Sequence, residues 1–134
     1  MAVALTFKNG LCDEAINYYC NIFDLVYPEN IIRYRDFAKF NHPPKIRDRI
    51  YNSHLDIYGN RIYLYDVTND DTYVKGNNIK IVIETDSDKL YRAYINFKKD
   101  SNVTSEPQKL DNKLFTSFVD KYDISWQFIA EIID

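Results

Sequence analysis

Apolar residues alternate with other positions through Val3, Leu5 and Phe7, and the alternation stops at Asn9-Gly10, a pattern that predicts a strand and a turn. The spacing then changes. Cys12, Ala15, Ile16, Tyr19, Ile22 and Phe23 recur at intervals of three or four, with Asp13, Glu14, Asn17 and Asn21 opposite them, which predicts an amphipathic helix over "LCDEAINYYCNIFD". "IIRYRDFA" returns to alternation and is expected to be a strand. The two prolines of "FNHPPKIRD" cannot continue a central strand, so that stretch is expected to be a loop, with His42 a loop residue of no chemistry. In "RIYNSHLDIYGNRIYLYDV" two β-rich runs flank Gly59-Asn60, a hairpin signal. "TNDDTYVKGNN" is polar throughout and has the length of a linker.

The order then repeats. "NIKIVIETD" reads as a strand and "SDKLYRAYINFKKD" as a helix, with Ser87 as N-cap and Leu90, Ala93, Tyr94 and Phe97 as the inner stripe. Pro107 confines "VTSEPQKLD" to a short edge strand. "KLFTSFVDKYD" and "ISWQFIAEII" form a closing pair. The chain therefore reads as strand, helix, strand, strand, strand, given twice: module one over about residues 1–67, a linker over 68–76 and module two over 77–134. The fold class is α+β, with two βαβββ modules whose curved mixed sheets enclose a cleft. Concave places of that kind are where ligands bind.

Composition narrows the function. The 134 residues suit one domain, and 46% apolar residues exclude disorder. Twelve tyrosines suit pleated surfaces with one dry and one wet side. Net charge is −3 with acids and bases interspersed, so the basic stripe of a nucleic-acid binder is missing. Arg33, Arg35 and Lys39 are read as a solvated edge face. No apolar run approaches the ~20 residues of a membrane span. "MAVALTFKNG" is too short for a signal peptide and has no basic n-region, so the expected location is cytoplasmic. Cys12 and Cys20 are expected to be two small buried or half-buried thiols, as is usual in a reducing compartment, and eight residues along a helix span about 12 Å, which disfavours a disulfide.

Three stretches, "LTFKNGLCDEAINYYCNIFD", "NSHLDIYGNRIYLYDV" and "DKYDISWQF", together resemble the vicinal oxygen chelate superfamily of glyoxalases, bleomycin-resistance proteins and extradiol dioxygenases. More narrowly, they are similar to its PhnB-like branch, also called demethylubiquinone-methyltransferase-like. The resemblance spans essentially the whole chain. Asp123 stands where the closing strand of that branch usually has glycine. The region "SEPQKLDNKLFTSFV" lacks the tryptophan-containing segment common there. No glycine-rich loop is present to hold a methyl donor.

The resemblance implies the fold above, a homodimer, and in the metalloenzymes of the superfamily a divalent metal held by His and Glu on the first, fourth, fifth and eighth strands. Here those strands offer Ala4, Tyr63, Asn78 or Ile79, and Gln127. None is a His or a carboxylate, and a slip of one residue would turn the neighbouring side chains to the other face. On the last strand Trp126, Phe128, Ala130 and Ile132 share one face, expected to pack under a helix. Gln127, Ile129, Glu131 and Ile133 share the other, expected to point into the cavity.

His54 and Asp56 share one strand face and could act as an acid–base pair or as metal ligands, but without a third partner a cavity-wall pair is the better reading. Tyr34, Tyr63 and Tyr65 could line a pocket or fill the core. Glu131 lies near a strand end and is expected to be solvent-exposed. The acids at Asp70 and Asp71 lack the glycine and terminal glutamate of a calcium loop. No phosphate loop, nucleophile elbow or CxxC is present. The expected function is binding of a small organic ligand in the cleft by Tyr34, His54, Tyr63, Tyr65 and Gln127, with no metal and no cofactor. The alternative is a lyase or dioxygenase of the same superfamily that uses a divalent metal with relocated ligands.

Overall fold

The computed structural model describes residues 1–36 and 42–132, which form two compact units, Met1–Lys75 and Gly76–Asp134. Phe37, Ala38, Lys39, Phe40, Asn41 and Ile133, which figured in the expectations above, lie outside the described residues.

The first unit comprises β1 (Val3–Phe7), α1 (Cys12–Phe23), β2 (Ile32–Arg33), α2 (Pro44–Arg47), β3 (Ile50–Asn52), β4 (His54–Ile57) and β5 (Asn60–Asp66). β5 is central, parallel to β1 and antiparallel to β4. Leu5 and Phe7, Leu55 and Ile57, and Ile62 and Leu64 are all buried, as is the predicted α1 stripe from Cys12 to Phe23. Full burial of each large apolar side chain contributes about 1.5–3 kcal/mol. Both cysteines are free and buried. The helix closes at Asp24 in the left-handed region (φ 54°), with the Leu25 N–H donating to the Cys20 carbonyl at 2.8 Å.

Three local readings change. Among its described residues, "IIRYRDFA" forms a strand only at Ile32–Arg33, and Tyr34–Asp36 is a 3-10 turn. The Asp36 carboxylate accepts the Arg33 N–H at 2.8 Å, and such side-chain capture competes with a ladder. The proline loop contains the single-turn helix α2, opened by Pro44, whose missing N–H costs nothing at a first helical position. The hairpin turns at Tyr58-Gly59, one residue earlier than expected. Both have positive φ (49° and 85°), as a type I′ turn requires, and Asn60 opens β5.

β3 pairs antiparallel with β2 in a two-stranded sheet and leads through Ser53 into β4. The buried Ser53 hydroxyl donates to the Leu64 carbonyl at 2.6 Å and the Leu64 N–H donates back to the Ser53 carbonyl at 3.0 Å. β5 therefore stands where the resemblance counts a fourth strand. Beyond it, the Arg49 guanidinium grips Asp70 in a fork (2.8 and 3.0 Å), and the Asn9 N–H also donates to Asp70 at 2.9 Å. The polar run after β5 is tied to the first unit in this way.

The second unit comprises β6 (Ile81–Thr85), α3 (Ser87–Phe97), β7 (Asn102–Leu110), β8 (Lys113–Val119) and β9 (Ser125–Glu131), in sheet order β6-β9-β8-β7. β6 and β9 are parallel and the other pairs antiparallel. The N-cap of α3 is Asp86 rather than Ser87: its carboxylate accepts the Lys89 N–H at 2.9 Å. Leu90, Ala93 and Phe97 are buried, while Tyr94 lies at the border and donates its hydroxyl to Glu106. β7 is an edge strand as Pro107 requires, but it is nine residues long. Its register against β8 shifts between Ser105 and Gln108, and a bulge there accommodates a residue that has no N–H.

Under α3, Trp126 and Phe128 stack at 6.0 Å between centroids, and Phe97 lies 4.5 Å from Phe118 and 5.6 Å from Trp126. The expected face of β9 is therefore the core face. The turn before it is held by buried Asp120, whose carboxylate accepts the N–H groups of Tyr122 and Ile124 and the Trp126 indole N–H at 2.9 Å. Asp123 has φ 64°, which explains why glycine is usual in the pattern it resembles. Asp123→Gly is expected to raise stability by about 0.5–1 kcal/mol in a urea titration; no gain would remove backbone strain as the reason.

Candidate functional site

In the first unit the helix-free face is built by parity. Ile62, Leu64 and Asp66 of β5 are buried, so Arg61, Tyr63 and Tyr65 emerge on the opposite side, exposed or half-buried. Ala4 of β1 and His54 of β4 both stand opposite Tyr63, and Thr6 stands opposite Tyr65. The rings of His54 and Tyr63 meet edge to face at 5.9 Å. Asp56 follows His54 on the same face and is turned toward Arg61, 3.6 Å away.

Tyr34 differs from the other predicted tyrosines. Its hydroxyl donates to the Asp66 carbonyl at 3.0 Å, and its ring packs against Tyr51 and His42 at 5.4 and 5.1 Å. Burial first, and then the charge of Asp66, push its hydroxyl pKa above the ordinary value. Tyr34 therefore supports the face through backbone and ring contacts, whereas Tyr63 and Tyr65 remain half-buried on it.

Residues that pattern reading missed hold this face in place. The Asn30 amide accepts the His54 N–H at 2.9 Å and donates to the His54 carbonyl at 3.3 Å, so it completes the strand edge at that imidazole. No local signal reveals a partner 24 positions away. Asp66 was legible in principle, because the alternation Ile62, Leu64, Asp66 places an acid on the core side. Its carboxylate accepts the N–H groups of Cys12 (3.0 Å) and Ile50 (2.8 Å) and joins the start of α1 to β3. Burial raises its pKa, and those two bonds together with Arg49 only partly oppose the shift.

Gln127 belongs to the second unit and is half-buried on the helix-free face of β9. Val82 of β6 and Ser117 of β8 stand directly opposite it. The fifth-strand position expected at Asn78 or Ile79 is therefore corrected to Val82, because β6 begins only at Ile81. A groove of about 340 Å³ opens beside Gln127, Ser117 and Phe115. A second concavity, of about 400 Å³, lies at the sheet end among Glu84, Asp86, Lys113 and Glu131. Glu131 is exposed there, as expected.

These side chains do not fit a divalent metal at the positions the resemblance assigns. Ala4, Tyr63, Val82 and Gln127 provide neither an imidazole nor a carboxylate. Among the described residues, no three His, Cys, Asp or Glu side chains come together as a ligand set. Nor, among them, is any helix long and apolar enough to cross a membrane.

No protein-family model matches the chain, and no curated protein matches it. Solved structures do. A PhnB protein from Bacillus cereus superposes with a TM-score of 0.70 at 18% identity, over 97% of this chain and 98% of that one. A glyoxylase/bleomycin resistance protein/dioxygenase domain from Frankia gives 0.66 at 16% identity, over 97% and 89%. A fosfomycin resistance protein from Listeria monocytogenes gives 0.60 at 14% identity, over 99% and 93%. The chain thus has the vicinal oxygen chelate fold that its motifs resemble.

Proposed function

We propose that this protein binds a small organic ligand on the helix-free faces of its sheets, without the divalent metal of the superfamily's metalloenzymes. The observation that supports this most is the identity of the residues at the assigned ligand positions: Ala4, Tyr63, Val82 and Gln127. A half-buried tyrosine in the first unit and an amide in the second can each hydrogen-bond an organic molecule, but each is a poor replacement for a carboxylate or imidazole at a metal. His54 and Tyr65 add an imidazole and a second ring beside Tyr63. Asp56 faces Arg61 instead of converging with His54 on a common point, which weighs against relocated metal ligands. Fold alone decides nothing here, since one scaffold hosts many activities. A homodimer and a cytoplasmic location belong to the same proposal.

The test is elemental analysis of tag-free protein after exposure to Ni, Co, Mn, Zn and Fe(II), followed by a melting screen with apolar and aromatic compounds. Sub-stoichiometric metal together with ligand-induced stabilisation is the expected result. Stoichiometric metal that His54→Ala abolishes would overturn the proposal in favour of a metalloenzyme.

A further inference from the structure

The groove beside Gln127 has a chemistry of its own. Lys80 and Lys109 stand at it, the amides of Gln108 and Gln127 and the hydroxyl of Ser117 line it, and Phe115 supplies an apolar wall. No acidic side chain contributes to that lining. Among the described residues neither lysine is ion-paired, although the chain as a whole carries a net charge of −3. The concavity at the sheet end is the reverse case, with Glu84, Asp86 and Glu131 around Lys113.

Register brings Gln127, Ser117, Gln108 and Phe115 to one face, while Lys109, opposite the buried Leu114, borders the groove from the edge strand. Ser117 stands opposite Gln127 across β8 and β9, and Gln108 stands opposite Phe115 across β7 and β8. Ser117 shares a hydroxyl hydrogen bond with Thr104 (2.8 Å), which fixes its oxygen. Gln108 spends one N–H on Ser105 (2.7 Å), which holds its amide along the edge strand. An amide at position 127 can donate, where a carboxylate would repel a negative group. About 340 Å³ lies at the small end of ligand sites.

We infer that this groove receives the oxyanion group of a small organic acid, a carboxylate or phosphonate on a compact apolar body. Lys80 and Lys109 provide the attraction, Gln127 and Ser117 the hydrogen bonds, and Phe115 the contact with the body. The inference rests on reading the protein as a ligand binder and specifies the charge of what it binds.

The experiment is calorimetric titration of the full chain with benzoate, phenylphosphonate and the neutral isostere benzamide, at low and high salt. Both acids are expected to bind about tenfold more tightly than benzamide, with the advantage shrinking in high salt. The double variant Lys80→Gln, Lys109→Gln should lose that advantage, and Gln127→Glu should weaken both acids by a further comparable factor. Unchanged melting temperatures and far-UV spectra would exclude misfolding as the cause. Equal binding of benzamide and the acids, or an anion preference that survives the double lysine substitution, overturns the anion assignment and leaves ligand binding standing. A protein that binds none of the three overturns both.

Discussion

Trp126→Ala is expected to cost about 4 kcal/mol or more of folding stability, the largest single-residue effect in the chain. The indole is fully buried and packs against Phe97 and Phe128. Truncating a buried aromatic to alanine removes its transfer free energy and leaves a cavity, about 3–5 kcal/mol together. A second loss adds to this, because the Asp120 carboxylate, itself buried, gives up the indole N–H at 2.9 Å. Trp126→Phe separates the two effects. It keeps an aromatic ring and removes the donor, and it should cost about 2 kcal/mol, the range for a hydrogen bond to a charged group. Urea titrations followed by far-UV circular dichroism measure both, since the only tryptophan is the residue replaced. If phenylalanine were as damaging as alanine, the hydrogen bond rather than the packing would dominate. If alanine cost under about 2 kcal/mol, the core would have to be far more adaptable than close packing permits.

Asp66→Ala is the second, at about 3 kcal/mol. The side chain is fully buried and satisfies two backbone donors, at Cys12 and Ile50. Each orphaned buried donor costs about 1–3 kcal/mol. Asp66→Asn keeps the shape but turns an N–H₂ toward one of the two donors, so it should fall between wild type and alanine.

This substitution also has a pH signature of definite sign. Burial holds the Asp66 pKa above its ordinary 3.8, so the folded state binds the proton more tightly than the unfolded state. The group's contribution to stability is therefore full below pH 3.8 and declines as pH rises through the folded pKa. Asp66→Ala lacks that decline, and its cost must be larger near pH 4 than at pH 7. Asp13 and Asp70 work in the opposite direction. Their arginine partners Arg33 and Arg49 hold them below the ordinary value, Asp70 to about 2, so their contributions vanish as pH falls. A cost for Asp66→Ala that grew from pH 4 to pH 7 would contradict the raised pKa.

Periodicity identified α1, α3, the strands β5 and β6 and the faces of β1 and β9, because those elements bury one side against a single layer and burial demands a regular pattern. It failed at Tyr34–Asp36, where Asp36 captures the Arg33 N–H and ends the strand. It also failed by one residue at Tyr58-Gly59, where side-chain preference suggested Gly59-Asn60 but pairing of Ile57 with Asn60 decided the turn. Tyr63, Tyr65 and His54 were legible as candidates, but only the pairing of β4 with β5 placed them on one face. Tyr34 was legible as a tyrosine near the face but not as a backbone donor. Asn30, Lys80 and Lys109 were not legible at all.

By itself, then, the sequence determined the doubled strand–helix–strand order, the parity of the first and last strands and the absence of imidazole or carboxylate at Ala4, Tyr63 and Gln127. Those follow from local spacing and from what each side chain can donate. Only the tertiary structure decided that Val82 rather than Asn78 or Ile79 stands beside Gln127, that Asp66 and Asp120 serve buried N–H groups, and that two lysines border a groove with an amide. The reason is physical: strand register and hydrogen bonds between distant residues are set by how whole sheets pair, and no window of neighbouring residues contains that information.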